Sequence, residues 1–186
     1  MVVKLVDPSK HPDWLRPHSA KWYQQVRRHH GKYEYSWNSI VEEPNGESLF
    51  DQEILKMVKD KKALDVGCGH GDIAITCSPV AKEIVGFDFT KQFIGNGKEQ
   101  KIENLSFVLG SIKEGLPFGR DEFDCAYIRK GPTSSYPLLS NVVKNGGEVL
   151  GLHPGDESGN ELLYLFPNMY KGLAITLSHY MVRAVL

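Results

Sequence analysis

Hydrophobic and polar positions alternate in blocks along the middle of the chain. Short apolar runs predict five strands, at residues 63–67, 84–88, 105–109, 123–128 and 148–152. Apolar residues at helical spacing predict a short helix that Pro79 ends, a second helix over 90–103, and a third from Ser135 to the glycines at 146–147. Strands that alternate with helices predict an α/β fold with a mostly parallel, doubly wound sheet.

The chain before the first strand has helical rather than strand periodicity. Three prolines predict an irregular arm over residues 1–18, and apolar spacing predicts helices over 19–30 and 48–59. Residues 1–60 are therefore interpreted as an N-terminal arm with helices, part of the same domain as the core at 61–186. A length of 186 residues with 41% hydrophobic content suits one domain.

Net charge and cysteine content limit which binding partners and which cellular compartment we expect. A net charge of -1 gives no overall attraction to nucleic acid or to an anionic membrane. The three cysteines lack the paired spacing of a zinc site, so we interpret them as reduced thiols and expect no metal. Neither a signal peptide nor a membrane span is predicted, which favours the cytoplasm. The oligomeric state stays open between monomer and homodimer.

The segment ALDVGCGHGD, residues 63–72, predicts a ligand site. It begins as a buried strand, and Gly67, Gly69 and Gly71 then alternate through a turn into a helix. Glycines allow the backbone angles of a tight turn and let a ligand approach the N–H groups at a helix start. Asp88 ends the second strand, where a carboxylate accepts both ribose hydroxyls in nucleotide-binding folds. Together these residues predict a nucleoside pocket.

The glycine spacing distinguishes between two kinds of nucleoside cofactor. A dinucleotide fingerprint has its third glycine five positions after the first, and that position here is Asp72. The segment instead resembles motif I of the class I S-adenosylmethionine-dependent methyltransferases. Residues 84–89 resemble motif II, 115–128 resemble the segment leading into strand four, and 138–152 resemble the helix and strand five that follow. The alternative function is that of an NAD-dependent oxidoreductase, which the glycine spacing disfavours.

The resemblance implies S-adenosylmethionine as cofactor and S-adenosylhomocysteine as product. It implies that Gly67 and Gly69 bring backbone against the methionine part and that Asp65 favours its ammonium group. It also implies that Asp88 accepts the ribose hydroxyls and that Phe89 borders the adenine. The implied cofactor-binding residues are Asp65, Gly67, Cys68, Gly69, Gly71, Asp88, Phe89, Ser111, Ile112 and Arg129.

The segments after strands three and four carry the less specific assignments. Family members often have an acid after strand three, whereas this chain has Gly110, Ser111 and Ile112 there. We expect Ser111 to replace the acid weakly and Ile112 to pack on the adenine ring. Arg129 follows strand four, where a backbone carbonyl commonly contacts the methionine ammonium. The missing acid leaves open a degenerate protein that binds the cofactor without turnover.

Two residues are predicted as catalytic, His153 and Tyr127. His153 lies just beyond strand five, where a histidine deprotonates or orients an acceptor. The alternative is a loop histidine that is bonded to backbone. Because the methyl group on the sulfonium is already activated, no nucleophilic residue is obligatory.

The acceptor is expected to be a small molecule, with ribosomal or transfer RNA as the alternative. Residues 129–132 read Arg-Lys-Gly-Pro, which differs from the Asn-Pro-Pro-Tyr type of motif that marks methylation of exocyclic amines. Residues 129–162 have a weaker likeness to bacterial ribosomal RNA guanine-N1 methyltransferases. The basic and aromatic residues at 21–35 are of the types that bind RNA phosphates and stack on bases. The alternative is that they form a solvated helix face.

The end of the chain fits the family least well. The family continues after strand five to two more strands, the last of them antiparallel. Residues after 152 predict one helix over 160–170 and one strand over 173–180, so we expect the C-terminal strands to be truncated. Truncation would leave an unpaired sheet edge that invites pairing with a partner.

Overall fold

The computed structural model describes residues 7–16, 19, 21–25, 45–91, 101–154, 170–175 and 179–186. The chain divides into two compact units, Met1–Ser39 and Ile40–Leu186. In the first unit, a 3₁₀ helix spans Pro8–Lys10 and residues 21–25 are helical. The helix predicted over 19–30 is thus confirmed over its described part, and its remaining residues lie outside the described part of the chain.

The second unit contains one seven-stranded sheet. Its strands are β1 (Lys62–Val66), β2 (Glu83–Asp88), β3 (Leu105–Leu109), β4 (Phe123–Arg129), β5 (Val143–Pro154), β6 (Tyr170–Ile175) and β7 (His179–Val185). Their order across the sheet is β3-β2-β1-β4-β5-β7-β6. Strands β1 to β5 are parallel, and β7 is antiparallel to both β5 and β6. The predicted α/β, Rossmann-like fold is confirmed.

The predicted truncation of the C-terminal strands is wrong, because both strands form. Strand β7 pairs with β5 along its length, and β6 pairs with β7. The single strand predicted over 173–180 covers the end of β6 and the start of β7. Arg183 interrupts the apolar pattern of β7, and its guanidinium lies 2.9 Å from the Glu53 carboxylate. The helix predicted over 160–170 lies outside the described residues except for Tyr170, which begins β6.

The second unit has three α-helices that are described over their full length: α1 (Gly46–Met57), α2 (Asp72–Cys77) and α3 (Tyr136–Val142). Helix α1 begins earlier than the predicted residue 48, because Asn45 is its N-cap. The Asn45 side chain accepts the N–H groups of Glu47 and Ser48, at 2.9 and 3.1 Å. Most of the helix predicted over 90–103 lies outside the described residues. Of the helices that the structure describes, none has the length and apolarity needed to cross a membrane.

Both faces of the sheet are covered by apolar side chains. Helix α3 packs Leu139 and Val142 against one face. Helices α1 and α2 cover the other face, where Phe50 and Ile54 are buried. Burial of a side chain of that size contributes about 1.5–3 kcal/mol to stability. Since the parallel strands are held from both sides, the loops at their carboxyl ends have fixed relative positions, and ligands of such sheets bind at that edge.

Candidate functional site

The turn after β1 requires its three glycines for different reasons. Gly67, Gly69 and Gly71 have φ of 77°, 55° and 85°, the left-handed region that side chains disfavour. A Cβ on Gly71 would lie 2.5 Å from the Phe107 ring, and one on Gly67 would lie 2.8 Å from the Pro132 side chain. A Cβ on Gly69 would meet nothing within 4 Å. Gly69 is therefore the position where the main chain is open to a ligand.

Asp88 connects the end of β2 to this turn. Its carboxylate accepts the Gly69 N–H at 3.1 Å on one oxygen and the Thr90 N–H at 2.7 Å on the other. The residue is only 7% exposed, so the two backbone bonds fix the orientation of the carboxylate. Each carboxylate oxygen has a second lone pair, which leaves the pair able to accept two hydroxyl groups of a ligand.

Asp65 is a second buried carboxyl group at the same edge. It is 3% exposed and lies in register between Gly86 of β2 and Tyr127 of β4. Burial raises the pKa of Asp65 to about 8, and the nearby charge of Asp88 also raises it. The Tyr127 hydroxyl and the Arg129 charge lower this pKa, but by less. A cation placed next to Asp65 would favour its charged form. This edge of the sheet thus holds two buried carboxyl groups, one that is fixed by backbone N–H groups and one with a raised pKa.

Cys68 lies between the first two glycines of the turn. Burial raises the pKa of the Cys68 thiol far above its usual range, and the charges of Asp65 and Asp88 add to this effect. Its sulfur lies 2.9 Å from the position that a Cβ on Gly86 would occupy, so the thiol fills space next to β2. Since nucleophilic cysteines are thiolates, the raised pKa argues against a nucleophilic role, and the predicted contact between Cys68 and the cofactor stays a prediction.

Three predicted residues border the edge near β2 and β3. Phe89 is 46% exposed, and Leu109, which pairs in register with Asp88, is 48% exposed. Ile112 packs partly buried against the core on the α3 face. The Ser111 hydroxyl accepts the Lys113 N–H at 3.3 Å and so caps a short 3₁₀ helix. Leu109, which the sequence analysis did not name, is thus a further exposed apolar side chain at this edge.

Arg129 ends β4, and its side chain points to α1. Its guanidinium lies 2.9 Å from Asp51 and 2.9 Å from Glu47, both on the first turns of α1. Lys130, the next residue, also pairs with Glu47. The predicted contact between the Arg129 carbonyl and the cofactor stays a prediction. The sequence analysis missed Asp51 and Glu47 as partners, since no local pattern connects them to strand four.

Both predicted catalytic residues are buried. Tyr127 is 0% exposed, and burial raises the pKa of its hydroxyl well above the ordinary value. His153 is 2% exposed, lies within β5 rather than beyond it, and has its Nε2 atom 2.7 Å from the Tyr136 hydroxyl. Burial lowers the pKa of His153 to about 4, so the ring is neutral at pH 7. A direct contact with an acceptor stays a prediction for both residues.

Comparisons with known proteins relate the chain to methyltransferases. A family model described as a methyltransferase domain matches residues 57–163. Demethylmenaquinone methyltransferase of Staphylococcus aureus is 36% identical over 123 residues, which cover 60% of this chain and 49% of that protein. The chain therefore spans about half the length of the curated relatives it matches.

Solved structures share the fold. A S-adenosylmethionine-dependent methyltransferase from Aquifex aeolicus superposes with a TM-score of 0.62 at 13% identity, covering 76% of this chain and 89% of its own. A functionally unknown protein from Deinococcus radiodurans R1 superposes with a TM-score of 0.72 at 17% identity, covering 88% and 98%. At these identities the likeness concerns the fold alone. The family match covers more than half of the sequence, and the chain belongs to the methyltransferase domain family.

Proposed function

We propose that this protein is a S-adenosylmethionine-dependent methyltransferase that acts on a small molecule. The observation that carries the proposal is the arrangement of Asp88 beside Gly69. A carboxylate held by two backbone N–H groups, next to an open stretch of main chain, suits the ribose and the thioether chain of this cofactor. Family membership and the curated relatives support the same activity.

Each residue at the edge has a separate part in holding the cofactor. Asp88 accepts the two ribose hydroxyls with the lone pairs that the backbone leaves open. Asp65 faces the ammonium group, whose charge favours the carboxylate form. Gly67 and Gly69 lie against the methionine part, and the exposed Phe89 ring borders the adenine. The bound cofactor supplies an activated methyl group, so the task left to the protein is to align the acceptor and to exclude water.

The acceptor is proposed from the curated relatives. Demethylmenaquinone methyltransferase acts, by its name, on a quinone-type aromatic molecule, and it is the kind of relative that the sequence matches at 36% identity. A reduced naphthoquinone is therefore the first acceptor to test. RNA stays an expectation from the sequence, because most of the residues meant to contact it, 26–35, lie outside the described residues.

Calorimetric titration with S-adenosylhomocysteine tests the proposed pocket. Asp88→Asn is expected to weaken binding by about 2–4 kcal/mol, or about 30-fold to 1000-fold, because it weakens two charge-assisted bonds to hydroxyls. Asp124→Asn is the matched control. Asp124 also accepts a backbone N–H, from Lys62 at 2.8 Å, but it lies near the amino end of β4, away from the candidate site.

The outcomes separate the proposal from its rivals. Binding by the wild type and by Asp124→Asn, with loss in Asp88→Asn, supports the pocket. A folded wild type, checked by circular dichroism, that does not bind S-adenosylhomocysteine refutes it. Thermal stabilisation by NAD alone would favour the oxidoreductase. Labelled methyl transfer to a reduced naphthoquinone distinguishes an enzyme from a degenerate protein that only binds the cofactor.

A further inference from the structure

The guanidinium of Arg129 connects the end of β4 to the first turns of α1. Its Nε lies 2.9 Å from Asp51 Oδ1, and its Nη2 lies 3.2 Å from Asp51 Oδ2 and 2.9 Å from Glu47 Oε2. The side chain is 25% exposed, so the contact is partly shielded from water. Two carboxylates on one planar guanidinium make a directional contact that an ammonium group does not reproduce.

The residues that follow Arg129 form a loop against the glycine turn. Gly131 lies so close to β1 that a Cβ there would be 2.5 Å from the Val66 carbonyl oxygen. Pro132 lies against Gly67, where a Cβ would be 2.8 Å from its ring. Lys130 has a φ of 58° and donates its backbone N–H to the Leu152 carbonyl at 2.9 Å. The loop at 129–132 thus lies between α1 and the glycine turn, with contacts on both sides.

We propose that Arg129 is a positioning residue for the methionine end of the pocket: its guanidinium, bound to Asp51 and Glu47, holds the 129–132 loop against Gly67. This inference rests on the proposed function, which places the methionine part at Gly67. A shift of the loop by a fraction of an ångström would reach the main chain that approaches the cofactor. The ribose end, held by Asp88, depends on β2 instead and has its own backbone contacts.

A comparable ion pair elsewhere in the sheet provides a matched control. Lys62 begins β1, at the opposite edge of the sheet, and its ammonium lies 3.2 Å from Glu83 and 3.0 Å from Glu122. Its side chain is 25% exposed, the same fraction as that of Arg129. Each of the two residues is a cation with two carboxylate partners, so a replacement at either position disturbs a comparable ion pair. Only the replacement of Arg129 affects a loop that contacts the glycine turn.

Binding of two ligands to three variants tests the inference. The variants are Arg129→Lys, Asp51→Asn and the control Lys62→Met, and the ligands are S-adenosylhomocysteine and 5′-methylthioadenosine, which lacks the amino-acid part. We expect Arg129→Lys and Asp51→Asn to weaken S-adenosylhomocysteine binding about tenfold, or about 1.4 kcal/mol. Binding of 5′-methylthioadenosine should stay within about twofold of wild type, and Lys62→Met should change neither affinity. Thermal denaturation of each variant confirms that it is folded at the temperature of the titration.

Selective loss of the longer ligand in both variants supports the inference. Equal weakening of the two ligands means a general loss of structure and overturns it, as do unchanged affinities in the variants. Asp51→Asn keeps the test decisive if Arg129→Lys does not fold, since Asp51 is 39% exposed and its change is isosteric. A wild type that binds neither ligand overturns the proposed function and this inference together. A wild type that binds and loses affinity through Asp88→Asn, while the Arg129 and Asp51 variants bind normally, overturns this inference alone.

Discussion

Asp65→Asn is expected to abolish a pH dependence of cofactor binding. Asp65 is almost completely buried, and burial raises its pKa to about 8. At pH 7 the free protein therefore holds this carboxyl group mostly protonated. If Asp65 binds the ammonium group of the cofactor as proposed, the bound form favours the carboxylate, and binding must release a proton.

The magnitude follows from the difference between the pH and the pKa. Ionising a group one pH unit below its pKa costs about 1.4 kcal/mol, and two units below costs about 2.7 kcal/mol. The affinity for S-adenosylhomocysteine should accordingly rise about tenfold for each unit between pH 6 and pH 8, and should level off above pH 8. In Asp65→Asn the affinity should be lower at pH 8 and constant over this range, because asparagine does not titrate.

Titration calorimetry in two buffers measures the proton directly. Phosphate and Tris differ in ionisation enthalpy, so a released proton appears as a difference in the observed binding enthalpy at pH 7. We expect close to one proton for the wild type and for the control Asp124→Asn, and none for Asp65→Asn. Equal wild-type affinities from pH 6 to pH 8 without proton release would refute the assignment of Asp65 to the ammonium group.

Two further predictions concern stability. The folded protein keeps His153 neutral, with a pKa of about 4, so its contribution to stability should be lost as the pH falls from about 6.5, the unfolded value, towards 4. Urea denaturation of the wild type and of His153→Gln at each pH isolates this contribution, because Asp65, whose raised pKa acts in the opposite direction, is present in both proteins. The free energy of unfolding of the wild type relative to that of His153→Gln should fall by about 1.4 kcal/mol per pH unit as the pH falls from about 6.5 to 4, and a constant difference would count against a neutral His153. Gly71→Ala should lower the free energy of unfolding by about 1–3 kcal/mol, because the added Cβ would collide with the Phe107 ring. Gly69→Ala should lower it by about 1 kcal/mol, because alanine disfavours the positive φ of this residue. Gly69→Ala should nonetheless weaken the binding of S-adenosylhomocysteine by more than its small loss of stability suggests. Unchanged affinity in both glycine variants would show that the ligand does not approach this turn.

Local sequence patterns were sufficient to predict most of the parallel core and the turn at its carboxyl edge. Strand β3 was predicted at its observed bounds, and β1, β2 and β4 within one residue at each end. Strands β1, β2 and β4 are buried along most of their length and mostly apolar, so local composition reveals them. The turn at Gly67, Gly69 and Gly71 was also predictable, because all three residues have positive φ, which favours glycine. Neighbouring atoms also leave no room for a Cβ on Gly67 or Gly71.

Features that depend on residues far apart in the chain could not be predicted from local patterns and are seen only in the folded protein. Strand β7 forms because β5 offers it an unpaired edge, although Arg183 breaks its apolar pattern. Arg129 meets Asp51 and Glu47 across 78 and 82 positions, and the Tyr136 hydroxyl meets His153 inside the core. Burial, which raises the pKa of Asp65 and lowers that of His153, exists only once the sheet and its helices have packed. Local patterns report the preferences of a segment for strand, turn or helix, whereas charge pairing and desolvation depend on which segments fold against one another.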